Sequence, residues 1–362
     1  MLPGGCRPAQ PLTSLSLAGR WMGGQRPLQQ FFAQPLALPL RQLRLALNMR
    51  LPKLDLSHCN QLQELSMSST WNLPRGSALP LQLQRLELFR ESGDGESLEE
   101  LQLQQLQYAS LHIPMTAQSL HEMTQLQALQ HVALGYNDAA AAVVAAATWQ
   151  QLPQLRELTV AYTHGKPDRD QMSEILAGVE ACSSLTKLKL EVRAVRFEQE
   201  EEEEELEYGD DPEMVDERVP ACGALAGLTN LRDLRIVNTS QLPHGDALQP
   251  TALTGLTSLV LAGLGEGVGE LAANALACCQ KQLRHLDLQD CDLGSMSCLA
   301  AVAHLSQLTE LKLEGNSGLA RQGLLLLTRL SNLPKLGVEH DRLLTPHAWQ
   351  RFWAAVHRQQ QA

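Results

Sequence analysis

The pattern Leu-x-x-Leu-x-Leu, with another aliphatic residue allowed in place of a leucine, recurs along this 362-residue chain and leaves few folds open to it. Its clearest copies in the first half are Leu51-Leu54-Leu56, Leu83-Leu86-Leu88, Leu129-Val132-Leu134 and Leu155-Leu158-Val160. They continue as Leu185-Leu188-Leu190, Leu231-Leu234-Ile236, Leu256-Leu259-Leu261, Leu283-Leu286-Leu288, Leu308-Leu311-Leu313 and Leu333-Leu336-Val338. Weaker copies begin at Leu12, Leu40, Leu62 and Tyr108. From Leu234 the middle leucines fall at Leu259, Leu286, Leu311 and Leu336, intervals of 25, 27, 25 and 25 residues. The Leu-x-Leu portion alternates as a strand does, one face in and one face out. The residues between then change to helical spacing, as in Met172, Ile175, Leu176, Val179 and Cys182. Each unit is therefore a short strand followed by a helix. Neither element buries its apolar face alone, so neighbouring units must stack on a shared leucine core.

Composition agrees: 71 residues are leucine while aromatics make up 4%, a core unlike that of an ordinary enzyme. The longest uncharged small-apolar stretch, Ala139 to Trp149, has 11 residues, against about 20 for a membrane-spanning helix, so no membrane insertion is expected. The opening MLPGGCRPAQ lacks the apolar centre of a secretory signal. Eight cysteines without a regular framework read as reduced thiols. Both features lead to a cytoplasmic expectation, with cytoskeleton, cilium or nucleus as variants. Of the formal net charge of −11, 13 acidic residues sit between Glu198 and Glu217, and the remainder of the chain carries +2. No basic stripe with aromatics runs through that remainder, which argues against nucleic-acid binding. The acidic run is expected to be a disordered insertion at 198–217, in the 46-residue interval between Leu188 and Leu234.

The segment LRHLDLQDCDLGSMSCLAAVAHLSQLTELKLEGNSGLARQGLLLLTRL resembles two consecutive leucine-rich repeats of the ribonuclease-inhibitor-like, cysteine-containing type. Cys291 and Asn316 stand where that family places an inward-turned Cys or Asn, and Cys59 and Asn137 match in earlier units. The resemblance implies an α/β leucine-rich repeat solenoid: a curved horseshoe with parallel strands on its concave face and helices on its convex face. The solenoid is expected over residues 1–344, irregular before about residue 80, because Leu40, Leu51 and Leu62 are only 11 apart. A capping helix is expected over 345–362, opened by Thr345-Pro346 and carrying Trp349, Phe352, Trp353 and Val356 on one face.

No catalytic or metal motif is found. The run Gly263 to Gly269 lacks the spacing of a nucleotide fingerprint, His121-Glu122 lacks a second His, and Cys278-Cys279 suits neither zinc nor redox chemistry. The sequence therefore implies no enzyme and no cofactor. What varies is the outward strand position beside each fixed leucine. Arg85, Glu87, Phe89, Lys187, Lys189, Asp233, Arg235, His285, Asp287, Gln289, Glu310, Lys312 and Glu314 form the candidate protein-binding surface. The expected function is an intracellular protein-interaction scaffold, a monomer that binds a protein partner on the concave face. The resemblance to the repeat arms of F-box proteins offers a second reading, a substrate receptor of a cullin-type ubiquitin ligase, although a repeat-like segment already begins at Leu12, where an F-box would precede it. A cytoskeletal or axonemal repeat protein is a third.

Overall fold

A computed structural model describes residues 12–20, 25–33, 39–47, 51, 53–68, 77–89, 103–114, 117–136, 139–162, 179, 182–192, 225, 227–237, 253–264, 276, 281–291, 293, 296–316, 321–338 and 346–360. The chain divides into two compact units, Met1–Ala161 and Tyr162–Ala362.

The first unit is a ladder of parallel strands: β1 (Ser14–Gly19), β2 (Gln42–Leu47), β3 (Glu64–Ser68), β4 (Arg85–Phe89), β5 (Tyr108–Pro114), β6 (His131–Tyr136) and β7 (Glu157–Tyr162). Each pairs with its neighbour in sequence, so the ladder is built in chain order. Parallel neighbours cannot be joined by a tight hairpin, and the return paths carry α1 (Gln25–Ala33), α2 (Ala117–Met123) and α3 (Ala139–Gln150). The leucines register the stack: Leu43 faces Leu65, Leu65 faces Leu86, Leu86 faces Ala109 and Ala109 faces Val132. Leu43, Leu65, Leu86 and Ala109 are each 1% exposed. Burying one such leucine fully contributes about 1.5–3 kcal/mol, which a single repeat could not collect without its neighbours.

Two sequence expectations change here. Leu51-Leu54-Leu56 is not a strand of this ladder. It lies in the return path between β2 and β3, where its only described bridge is Asp55 to Ala78. Its leucines are nevertheless buried, at 2%, 0% and 0% exposure, because the return path closes the other side of the same core. The step from Leu43 to Leu65 is thus 22 residues. The copy near Tyr108 begins two residues earlier: Leu106 is buried, Ala109 and Leu111 point inward, and Tyr108 pairs with Arg85 in an outward row.

The second unit stacks β8 (Lys187–Val192), β9 (Asp233–Val237), β10 (Ser258–Ala262), β11 (His285–Asp287), β12 (Glu310–Lys312) and β13 (Lys335–Gly337). Its return paths include α4 (Met296–Val302), α5 (Arg321–Leu326) and a 3-10 turn at Leu327–Arg329. Leu188, Leu234, Leu259, Leu286, Leu311 and Leu336 stand side by side across it. The 46-residue interval after Leu188 leaves β8 and β9 paired in register like any other neighbours. The acidic run itself lies outside the described residues.

A further buried position escaped the six-residue motif. In each of several units the residue three before the opening leucine accepts a hydrogen bond from that leucine's N–H, as Leu103 does from Leu106, Leu126 from Leu129, Leu228 from Leu231 and Leu305 from Leu308. The backbone then clamps adjacent repeats: Gln63 O accepts from both Gln84 N and Arg85 N, and Arg232 O from both Thr257 N and Ser258 N. These shared acceptors satisfy donors just ahead of each strand.

The chain's last described element, α6 (Pro346–Gln360), follows β13 and packs on α5 and the 3-10 turn. Phe352 and Val356 are fully buried and Ala348 is 6% exposed, whereas Trp349 and Trp353 are half-buried around Phe352. Val179 and Cys182 are buried, Cys182 at the position three before Leu185, whose N–H donates to its carbonyl, and Met172, Ile175 and Leu176 lie outside the described residues.

Candidate protein-binding face

Alternation along each strand turns one set of side chains into the core and leaves the other on the open side of the sheet. Because neighbouring strands are in register, the outward residues line up in rows across the repeats. In the first unit one row reads Gln42, Glu64, Arg85, Tyr108 and His131, and it reaches Glu157 on β7 through the His131–Glu157 pair. The second row reads Arg44, Ser66, Glu87, Ser110 and Ala133. Phe89 lies beside Ser68 in a third.

From Arg85 to Glu157 the first row is linked side chain to side chain, and Gln42 and Glu64 form a separate pair. Gln42 Nε2 donates to Glu64 Oε2 at 3.2 Å. The Arg85 guanidinium pairs with Glu87 at 2.6 Å and lies 3.7 Å from the centre of the Tyr108 ring. Tyr108 and His131 have ring centroids 6.0 Å apart, and His131 Nδ1 lies 3.4 Å from Glu157. Held between a carboxylate and an aromatic face, Arg85 loses little further rotamer freedom when a partner docks. Phe89 stands on the same strand with 47% of its surface exposed. Sequence reasoning named Arg85, Glu87 and Phe89 but missed Tyr108 and His131. The copy opening at Tyr108 runs two residues late because alanine, at Ala109, holds the middle position, whereas the outward place of His131 follows directly from the Leu129-Val132-Leu134 copy.

The second unit presents Lys187, Asp233, Ser258, His285, Glu310 and Lys335 in one row and Lys189, Arg235, Val260, Asp287, Lys312 and Gly337 in the next. Charges of both signs are interspersed in the two rows, with Lys189 and Arg235 adjacent cations. Lys189 pairs with Glu191 at 2.8 Å, Arg235 with Asp233 at 3.3 Å, His285 with Glu310 at 3.4 Å and Lys312 with Asp287 at 3.3 Å. Gln289 Nε2 donates to Glu314 at 2.9 Å, joining two more of the candidates. One candidate is less open than its strand position implied. Asp287 is 5% exposed, because Lys312 covers it on one side and Val260, itself 6% exposed, adjoins it on the other. Its Oδ1 also accepts the Gln289 N–H, so Asp287 braces the surface from below.

Below the strands the inward Cys and Asn positions act on backbone. Asn316 Oδ1 accepts from Cys291 N at 3.1 Å and Leu293 N at 3.0 Å, while its Nδ2 donates to Leu288 O at 2.7 Å and Leu313 O at 3.0 Å. The Cys291 thiol donates to Leu261 O, one repeat back. Gly263, Asp290 and Gly315 precede the three equivalent inward residues Leu264, Cys291 and Asn316, and all three have positive φ, at 69°, 51° and 70°. Gly315 has a second constraint: a Cβ there would run into the Asp290 carboxylate. Asn137 lies outside the described residues, and Cys59 is buried in the return path rather than after a ladder strand.

The cysteines found here are packing and hydrogen-bonding groups. Burial pushes the Cys182 thiol up to about 11 and the Cys291 thiol to about 12, far from the range of a nucleophile at neutral pH. Cys59, Cys182, Cys291 and Cys298 are all buried free thiols. Among the described residues no group of three His, Cys, Asp or Glu side chains is placed to hold a metal ion, and no helix is long and apolar enough to cross a membrane.

No protein-family model and no curated protein matches the sequence. Among solved structures, the chain is similar to an internalin (InlF) of Listeria monocytogenes, at 14% identity and a TM-score of 0.45, covering 85% of this chain and 83% of that one. It is also similar to the functional domain of InlJ from the same organism, described as including a cysteine ladder, at 15% identity and a TM-score of 0.39, covering 92% of this chain and 64% of that one. The in-register leucine ladder, built in chain order with return segments closing one side of its core, is itself the leucine-rich repeat fold.

Proposed function

We propose that this protein is an intracellular protein-interaction scaffold whose open sheet face binds a protein partner. The observation that carries the reading is the patch on β4 and β5, where Arg85 is held against Glu87 and over Tyr108, and Phe89 stands half-exposed beside them. Arginine and aromatic side chains immobilised before contact supply most of the affinity at protein interfaces, while surrounding polar residues set register and exclude wrong partners. The second unit by itself carries paired charges on the open face of β8 to β13, the polar composition of a protein interface. The buried free thiols favour a reducing compartment.

The test is capture of binding proteins by the immobilised full chain, followed by affinity measurement on each captured protein. Phe89→Ala and Arg85→Ala should each weaken binding by about 30-fold or more, the loss of a hot-spot residue. Reversing Arg235 and Lys312 together should weaken it through the second unit while circular dichroism stays unchanged. Affinity that survives all of these, but is lost on substituting Trp349 and Trp353, would move the site to α6 and defeat the proposal. Ligase subunits among the captured proteins would make the scaffold a substrate receptor, and tubulin-associated proteins would make it an axonemal one.

A further inference from the structure

We propose that the free edge of β1 is a docking surface for a second copy of this chain, paired antiparallel to it about a twofold axis at Ser16. β1 is the first strand of the ladder, and among the described residues nothing pairs with its outer edge. Its sequence repeats the buried pattern of the units behind it: Leu12, Leu15 and Leu17 correspond to Leu40, Leu43 and Leu45. Leu40, Leu43 and Leu45 are 1%, 1% and 0% exposed, whereas Leu12 is 45% exposed and Leu15 and Leu17 are only half-buried. The first repeat therefore presents to solvent the same apolar surface that every later repeat uses to hold its predecessor. Phe31, in the return path of that repeat, is 41% exposed and adds to the apolar area.

The chemistry of the edge favours a copy of itself as occupant. Exposed edge strands are ordinarily blunted by lysine, proline or a bulge, and Ser14–Gly19 (SLSLAG) has no charged residue, no proline and no interruption in its pairing. Two identical edges related by a twofold axis perpendicular to the sheet meet antiparallel, and each strand keeps its own inward face. With the axis at Ser16, Leu15 of each copy lies opposite Leu17 of the other on the core side, so the two leucine cores become continuous. Ser14 then faces Ala18, and Ser16 faces itself, on the open side. No like charges oppose each other anywhere along the paired strands.

Ser16 is exposed, so substituting it does not disturb the fold of one chain. The test is the mass in solution by light scattering at tens of micromolar chain. The wild type should have twice the 39.8 kDa of one chain. Ser16→Lys and Ser16→Glu should each halve that mass, because each places like charges face to face across the axis, with circular dichroism and melting unchanged. Mixing the two variants should restore the doubled mass, since lysine then faces glutamate. A wild type that remains at one chain's mass overturns the proposal, and so does a dimer indifferent to Ser16→Lys. A mixture that stays at the mass of one chain also overturns it, because the axis would then not pass at Ser16.

Discussion

Replacing Asn316 by alanine removes one side chain and frees backbone groups in two repeats at once. Asn316 is 9% exposed and makes four hydrogen bonds of 3.1 Å or less, accepting from Cys291 and Leu293 and donating to Leu288 and Leu313. At a net value of about 1 kcal/mol each, the loss approaches 4 kcal/mol, and leaving buried N–H groups unpaired works in the same direction. Water entering the vacated space recovers part of it, so a loss of about 3 kcal/mol is expected. Asn332 is the matched control: it also bridges repeats, donating to Ser306 O at 3.0 Å, but it is exposed, and its replacement by alanine should cost below about 1 kcal/mol. Urea unfolding followed by circular dichroism compares the midpoints, and hydrogen exchange localises the effect. Amides of residues 288–293 should lose about 100-fold in protection in Asn316→Ala, at tenfold per 1.4 kcal/mol, and almost none in Asn332→Ala. Equal effects from the two substitutions would show that the inward asparagine is merely another surface bridge.

Three further outcomes follow from burial and pairing. Leu311→Ala should cost about 2–5 kcal/mol in a urea titration, Asp287→Ala about 1–2 kcal/mol and Lys312→Ala below about 0.5 kcal/mol; an Asp287 variant as mild as the lysine variant would mean the carboxylate is not enclosed. Phe352→Ala should cost about 3–5 kcal/mol through the cavity left under α6, whereas removing the exposed Gln350 side chain should leave the melting temperature unchanged; equal losses would place α6 off the repeats. Cys182 and Cys291 retain their protons in the folded chain to about pH 11 and 12, while an unfolded chain releases them near pH 8.5, so their contribution to stability falls as pH rises above that value. Urea midpoints across pH 8 to 10 should therefore decline less steeply in Cys182→Ala/Cys291→Ala than in the wild type, and parallel slopes would contradict the shifts.

The leucine spacing carried most of this architecture because in a parallel ladder the same inward position recurs at every step. From Leu231 onward each motif copy is a strand in register. Alternation reports burial, however, and does not say which side of the core a segment closes. That is why Leu51-Leu54-Leu56 reads like a ladder strand while serving as a return path. A different cause hid the outward role of Tyr108: Ala109 stands where a leucine would have fixed the register. Of the binding face, the strand positions were readable and the contacts between strands were not. Arg85 over Tyr108 and Asp287 beneath Lys312 depend on which repeats become neighbours and on how far each side chain leans across.

The most direct test of the scaffold reading is site-specific photo-crosslinking to the captured partner. A photoreactive amino acid at Ser66 or Lys312 stands on the open sheet face, and one at Gln61 or Ser306 stands among exposed residues outside the strands. Binding through the sheet predicts adducts from Ser66 or Lys312 and none from Gln61 or Ser306. Adducts confined to Gln61 and Ser306, with the sheet positions silent, would contradict it.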